Sequence, residues 1–353
     1  MILQGPIFHV GNPLYKTPRA ICISNKAYDV IDLPAAHEDY VPRTNFGAAL
    51  SIGEYTRRAP AVRWDQTRSH TDFFRMGFRK MLALNGERTL IGALLPLGVT
   101  HIDSVQSVAF ADEAYLVKFQ PIALSLISDF VIKATGKQNL HEDEVGALPW
   151  IEAGSTAYSR ALRLGCLTSA YADFWNRHAA ALDVLPWSSH DPRLKNEGPI
   201  KGPSEWDRGA GLRSDFARRL ALIEIDVLVA QALGLTIEQL IELYRIYFPL
   251  MQQYERGTWF DQTGRIVWTN NSSGLPGVGW LDERGKSPGR AAWEKILAEN
   301  PSELTCTAID DTMPGGPRTV TRHFVGPFTQ CDRIEDYRCA WAHFERLKSD
   351  KAA

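Results

Sequence analysis

The chain is short of cysteine, of long apolar runs and of any excess of charge, and each shortage removes a class of protein. Five cysteines, Cys22, Cys166, Cys306, Cys331 and Cys339, are scattered and odd in number, which argues against a disulfide framework. The longest apolar stretch near the middle, from Phe119 onward, is broken by Pro121, Asp129 and Lys133, too polar for a membrane span. No amino-terminal segment joins a basic start, an apolar middle and a small-residue cleavage site, because His9, Asn12 and Lys16 arrive too soon. A soluble cytoplasmic chain without a membrane partner is expected. The formal net charge of -2 neither demands nor excludes a polyanionic partner.

Several catalytic signatures are missing as well. There is no Gly-x-Ser-x-Gly elbow, no His-Glu-x-x-His and no phosphate-binding Gly-Lys-Ser/Thr loop. His323, Cys331, Cys339 and His343 fall within one short stretch, yet no Cys-x-x-Cys pair is among them, and ordinary helix and loop residues are the favoured reading over a metal site. "HEDEVG", residues 141–146, has nuclease-like ingredients without a Glu-x-Lys or Asp-x-Lys core beside it, so a solvated loop is favoured there.

What is present is a globular composition: 353 residues, 44% hydrophobic, 10% aromatic and 23% charged, enough for two domains and an appendage. Residues 1 to about 64 read as short strands and turns. "HTDFFRMGFRKMLA" from His70 has helical spacing, "RTLIGALLPLGVTHI" reads as strand, turn and strand, and "SVQSVAF" and "EAYLVKF" continue the strand pattern. A helix over 122–133 follows, stopped by Gly136, and Leu148-Pro149 suggests the exit of a sheet. Beyond Ser155 the pattern is helical, with Thr236 and Gln239 forming a capping box and Pro249 a stop. The Pro- and Gly-rich loop near 185–209 interrupts it, and the last hundred residues mix turns with two short helices. The expected fold class is therefore α+β (mixed α/β). Its parts are a mixed-sheet domain over 1–150, a helical domain over 151–255 and an appendage over 256–353.

One short stretch raises a specific chemical question. In "GNPLYKTP", residues 11–18, Asn12-Pro13-Leu14-Tyr15 differs by one residue from the Asn-Pro-Pro-Tyr loop with which DNA adenine methyltransferases hold a flipped base. Such an enzyme also needs a Gly-rich turn between a strand and a helix to hold its cofactor. Too few residues precede Asn12 for that unit, and the cluster at Gly274, Gly277 and Gly279 follows the polar "TNNSS". The stretch therefore reads as a turn that carries Lys16 and Arg19 towards a phosphate backbone.

Basic residues supply the stronger clue. Arg43, Arg57, Arg58, Arg63, Arg68, Arg75, Arg79, Lys80 and Arg88 are interleaved with Tyr40, Asn45, Tyr55, Trp64 and His70. Arginine contacts phosphate and can reach guanine bidentately, while Asn and Gln can read adenine. Glu54, Asp65, Asp72 and Glu87 dilute the run, so a solvated face stays open as the alternative.

"GNPLYKTPR", "YDVIDL", "DYVPRTNF" and "ERTLIGALLP", taken in order, resemble the target-recognition region of large DNA adenine methyltransferases of type IIG restriction-modification and of the BREX and DISARM phage-defence systems. "SDFVIKATGKQNLHEDEVGALPWIE" is similar to the element that closes target-recognition domains in type I specificity subunits. "RRLALIEIDVLVAQALGLTIEQLIELYRIYFPLMQQYE" is similar to the helical segment that follows the region in that family. The resemblance implies a non-catalytic reader of double-stranded DNA that works with a methyltransferase catalytic domain or subunit. It places S-adenosylmethionine on that partner and no cofactor on this chain. Family loops vary, so the contact residues are chosen on physical grounds: Lys16, Arg19, Arg43, Asn45, Arg57, Arg58, Arg63 and Arg68, with Lys137, Gln138 and Asn139 as secondary candidates. Asn139 is given a packing role first. Two alternatives remain: a diverged catalytic fragment, methyltransferase or nuclease, and a helical adaptor docking through Tyr244, Tyr247 and Phe248.

Overall fold

Phe74, Met76 and Phe78 alternate along the chain and all three are buried, which places a strand where helical spacing was expected. Phe74, Phe78 and Leu82 also lie four apart, and that spacing imitates a helix face. In the computed structural model, which describes residues 1–24, 27–198, 202–272 and 274–352, Arg75–Arg79 is the centre of an antiparallel sheet between Gly92–Leu95 and Val105–Val108. A parallel pair, Ile2–Leu3 with Thr100–His101, and an antiparallel pair, Lys16–Pro18 with Tyr28–Val30, lie beside it. The protein is mixed α+β.

"EAYLVKF" also departs from expectation. Asp112 accepts a hydrogen bond from the Ala114 amide at 2.9 Å and starts the helix Glu113–Leu124. Ser125 ends that helix and caps the next, Leu126–Ala134, by accepting from the Ser128 amide at 3.1 Å. The two helices meet at 70°, with Leu116, Phe119, Ile122, Leu126 and Ile132 in the core. Among the described residues, no single helix is long and apolar enough to cross a membrane.

Helix Asp215–Ala232 is the spine of the later half. It packs against Ser155–Gly165, Glu113–Leu124 and the last helix, Arg333–Ala352. The capping box of helix Ile237–Tyr247 is complete: Thr236 N donates to Gln239 Oε1 at 2.8 Å, and Gln239 N donates to Thr236 Oγ1 at 3.2 Å. One apolar cluster runs from Phe8 to Phe344 through all these elements. Each fully buried Leu or Phe in it contributes about 1.5–3 kcal/mol.

The carboxyl-terminal part holds more strand than its turns suggested. Thr258–Phe260 pairs with Ile266–Thr269, and Glu303–Asp310 pairs residue for residue with Arg318–Val325. The signal was the alternation in "ELTCTAID", which turns Cys306 and Ala308 inward and Thr305 and Thr307 outward.

The interior also holds paired charge. Asp226 is fully buried and accepts from Leu126 N and from Tyr337 Oη, both at 2.7 Å. Arg333 reaches Asp226 at 3.5 Å and Glu255 at 3.1 Å; Glu255 also takes Arg219, which reaches Asp336 at 2.7 Å. Arg160 meets Glu224 at 2.7 Å with both side chains fully buried, and Arg88 pairs with Asp129. Other arginines bond carbonyls: half-buried Arg79 those of Gly5 and Phe8, and buried Arg213 those of Leu33 and Leu167. Removing one partner from such a pair strands the other's charge in a poorly solvating interior.

Candidate functional site

The "GNPLYKTP" stretch folds as a tight turn. His9 and Asn12 exchange backbone hydrogen bonds of 2.9 and 3.0 Å around Gly11, whose φ of 64° falls in the left-handed region that favours glycine. Asn12 Oδ1 accepts from Leu14 N at 3.0 Å, so the amide oxygen serves its own loop. Tyr15 donates its hydroxyl to the Gly274 carbonyl. The His9 ring lies 4.8 Å from that of Tyr15, and burial holds the His9 imidazole well below its usual pKa. Lys16 is half-buried, and burial, reinforced by Arg79, lowers its pKa to about 8.

The exposed arginines stand on a small helix and hairpin. Helix Ile52–Arg58 is tied down by Tyr55, whose hydroxyl shares a 2.9 Å hydrogen bond with Thr100. The hairpin pairs Ala61–Val62 with Asp65–Ser69 and turns at Arg63 and Trp64. Asp65 fixes the turn by accepting from Thr67 N at 3.0 Å and Thr67 Oγ1 at 2.6 Å. Ser69 and Asp72 close its far end with a capping box. Buried Phe73 supports the outer surface: the Arg68 guanidinium lies 4.0 Å above its ring, and Trp64, 47% exposed, meets it edge-on at 5.6 Å. Phe73 had not been singled out from sequence, although its place beside the charged run was a signal.

The remaining candidates divide into exposed and committed groups. Arg57 makes only a 3.4 Å hydrogen bond, to Gly53 O, among the described residues. Arg58 pairs with Glu54 at 2.6 Å, and Arg63, 83% exposed, pairs with Glu142 at 2.9 Å. Arg19 pairs with Asp29 at 2.8 Å. Arg43 is committed to the Pro18 carbonyl at 2.8 Å and to Asp311 at 3.4 Å, and Asn45 donates to Tyr28 Oη at 2.9 Å. Lys137 holds Asp143 at 3.2 Å and also Glu144. Gln138 and Asn139 run beside Met81 and Leu82, with Leu82 N donating to Gln138 O at 2.9 Å. Arg75 and Arg88 are buried and Arg79 is half-buried with its guanidinium on backbone carbonyls, so the charged run divides between surface and core.

Two further expectations change. "HEDEVG" is not a loop: Glu142–Gly146 is a short helix, and Glu144 accepts from His141 N at 2.7 Å. The adaptor surface also shrinks, because Tyr244 and Phe248 are buried and Tyr247 alone of the three is exposed, packed on Phe130 at 4.6 Å. Among the described residues, no group of three or more His, Cys, Asp or Glu is placed to hold a metal ion. His323 faces Glu303 at 3.2 Å, while His343 contacts the Pro186 carbonyl.

Comparison with protein-family models, with curated proteins and with solved structures gives no match.

Proposed function

We propose that the chain is the sequence-specific double-stranded DNA recognition module of an adenine-methylating restriction or phage-defence system. Catalysis and S-adenosylmethionine belong to a partner methyltransferase domain or subunit. The observation that carries this reading is the surface of Ile52–Ser69, with Arg57, Arg58, Arg63, Trp64 and Arg68 all exposed. Residues 52–69 hold four arginines against Glu54 and Asp65, a balance of +2 in a chain whose total is -2. The exposed ion pairs of Arg58 and Arg63 are worth about 0–1 kcal/mol each, so phosphate oxygens can replace their carboxylates. The motif order of the target-recognition region supports the same reading.

Fluorescence anisotropy with labelled duplex DNA over a salt series tests it. Binding should weaken with a log–log slope of about 0.9 per phosphate neutralised. A flat salt response rejects the DNA reader. Saturable binding of labelled S-adenosylmethionine to the chain alone would instead support the diverged-enzyme reading.

A further inference from the structure

A cleft of about 590 Å³ lies where helix Pro249–Arg256, the paired strands Thr258–Phe260 and Ile266–Thr269, and helix Arg290–Glu299 meet. That volume is within the roughly 300–1,000 Å³ typical of small-molecule sites. Its aromatic side is built from Trp259, which is half-buried, and Trp293, with ring centroids 6.3 Å apart at 67°. Trp293 stacks on Trp268 at 5.8 Å and 6°. The Trp268 indole N–H donates to the Pro288 carbonyl at 2.8 Å, but that of Trp293 is buried with no acceptor among the described residues.

The polar side differs from the ion-paired interior. The exposed Arg256 guanidinium makes no hydrogen bond or ion pair among the described residues, and Arg290 is held by Glu294 at 2.9 Å on the surface. Asn270 donates its amide N–H to the Gln253 carbonyl at 3.4 Å, and Gln330 donates to the Arg256 carbonyl. Both side-chain oxygens thus remain available to a donor. Gly257 makes room for this arrangement: a β-carbon there would stand 2.2 Å from Asn270 Cγ.

These groups ask for different things of one ligand. Tryptophan walls suit a flat ring, and a free guanidinium suits an anion. Carboxamides match the donor and acceptor pattern of a base edge. A simple carboxylate or sugar lacks the ring, and an apolar peptide lacks the charge. We propose that this cleft binds a single nucleotide, its base against Trp259, its phosphate at Arg256 and its base edge towards Asn270 and Gln330. The site stands apart in the chain from the Ile52–Ser69 surface and does not rest on duplex binding.

Isothermal titration of the full chain with dAMP, and separately with a single-stranded deoxyadenosine octamer, tests the site. One equivalent of dAMP should bind saturably. Arg256→Gln, which disturbs no ion pair among the described residues, should weaken it at least tenfold at unchanged melting temperature. Gly257→Ala should weaken it by displacing the Asn270 amide. Equal affinity for the two probes marks a free nucleotide as the ligand; tighter, salt-dependent binding of the octamer marks a nucleotide within a strand. No saturable binding of either probe, or unchanged affinity in Arg256→Gln, overturns the proposal.

Discussion

Arg68 lies at the surface with its guanidinium over the Phe73 ring, whereas Arg75, one strand further on, is 1% exposed and donates to the Val99 carbonyl and the Ser107 hydroxyl. The contrast extends to whole regions. Arginines of Ile52–Ser69 meet water or exchangeable surface carboxylates. Those of the interior, Arg160, Arg219 and Arg333 above all, are matched to buried acids. Arginine suits both settings because its charge is permanent and its donors fan out in a plane, so solvent access decides whether its partners are exchangeable or architectural.

The contrast breaks most sharply at Glu255. Glu255→Gln leaves Arg219 and Arg333 facing a neutral amide and should cost about 3–5 kcal/mol in urea unfolding. A loss below about 1 kcal/mol would mean that the interior pairs behave like surface ones. The same carboxylate makes stability depend on acid. Burial alone would raise its pKa, but Arg219 and Arg333 hold it at about 2, below the ordinary 4.5. Its contribution is thus full above pH 4.5 and lost as the pH falls towards 2, and Glu255→Gln should flatten that limb of the stability profile.

At the surface, binding should change more than folding. Replacing Arg57, Arg58 and Arg63 together by Ala should leave stability within about 0.5 kcal/mol per site. The salt slope of duplex binding should drop by about 0.9 for each phosphate contact removed. An unchanged slope removes these residues from the interface. The smallest effect is expected for Glu54→Gln, which frees Arg58 at a cost of about 0.3–0.5 kcal/mol. Duplex binding should tighten slightly, and weaker binding would show that Glu54 positions Arg58 for its contact.

Much of the helical half could be read because its signals are local. The Thr236–Gln239 box and the apolar spacing of 215–232 mark their own ends. Phe74, Met76 and Phe78 were harder, since their strand depends on partners near Gly92 and Val105 that no local window contains. The candidate site divides the same way. Arg57, Arg58, Arg63 and Arg68 were legible as exposed cations. Arg43 was not, because its partner Asp311 is remote in sequence. The Trp259 cleft escaped for a similar reason: its walls come from separate segments and no motif spaces them.

One guanidinium sets a limit on how this protein can be recombined. Arg218 donates to the carbonyls of Gly11, Leu164 and Leu212 at 2.9, 3.1 and 2.8 Å, joining the first turn to helix Ser155–Gly165 and to the start of the spine helix. A graft of residues 1–150 into another scaffold would arrive with the Gly11 carbonyl unmatched and the core-facing sides of Phe8 and Leu124 bare. The transplantable unit therefore includes Ser155–Gly165 and Asp215–Ala232, and such a graft should be cut after the spine helix.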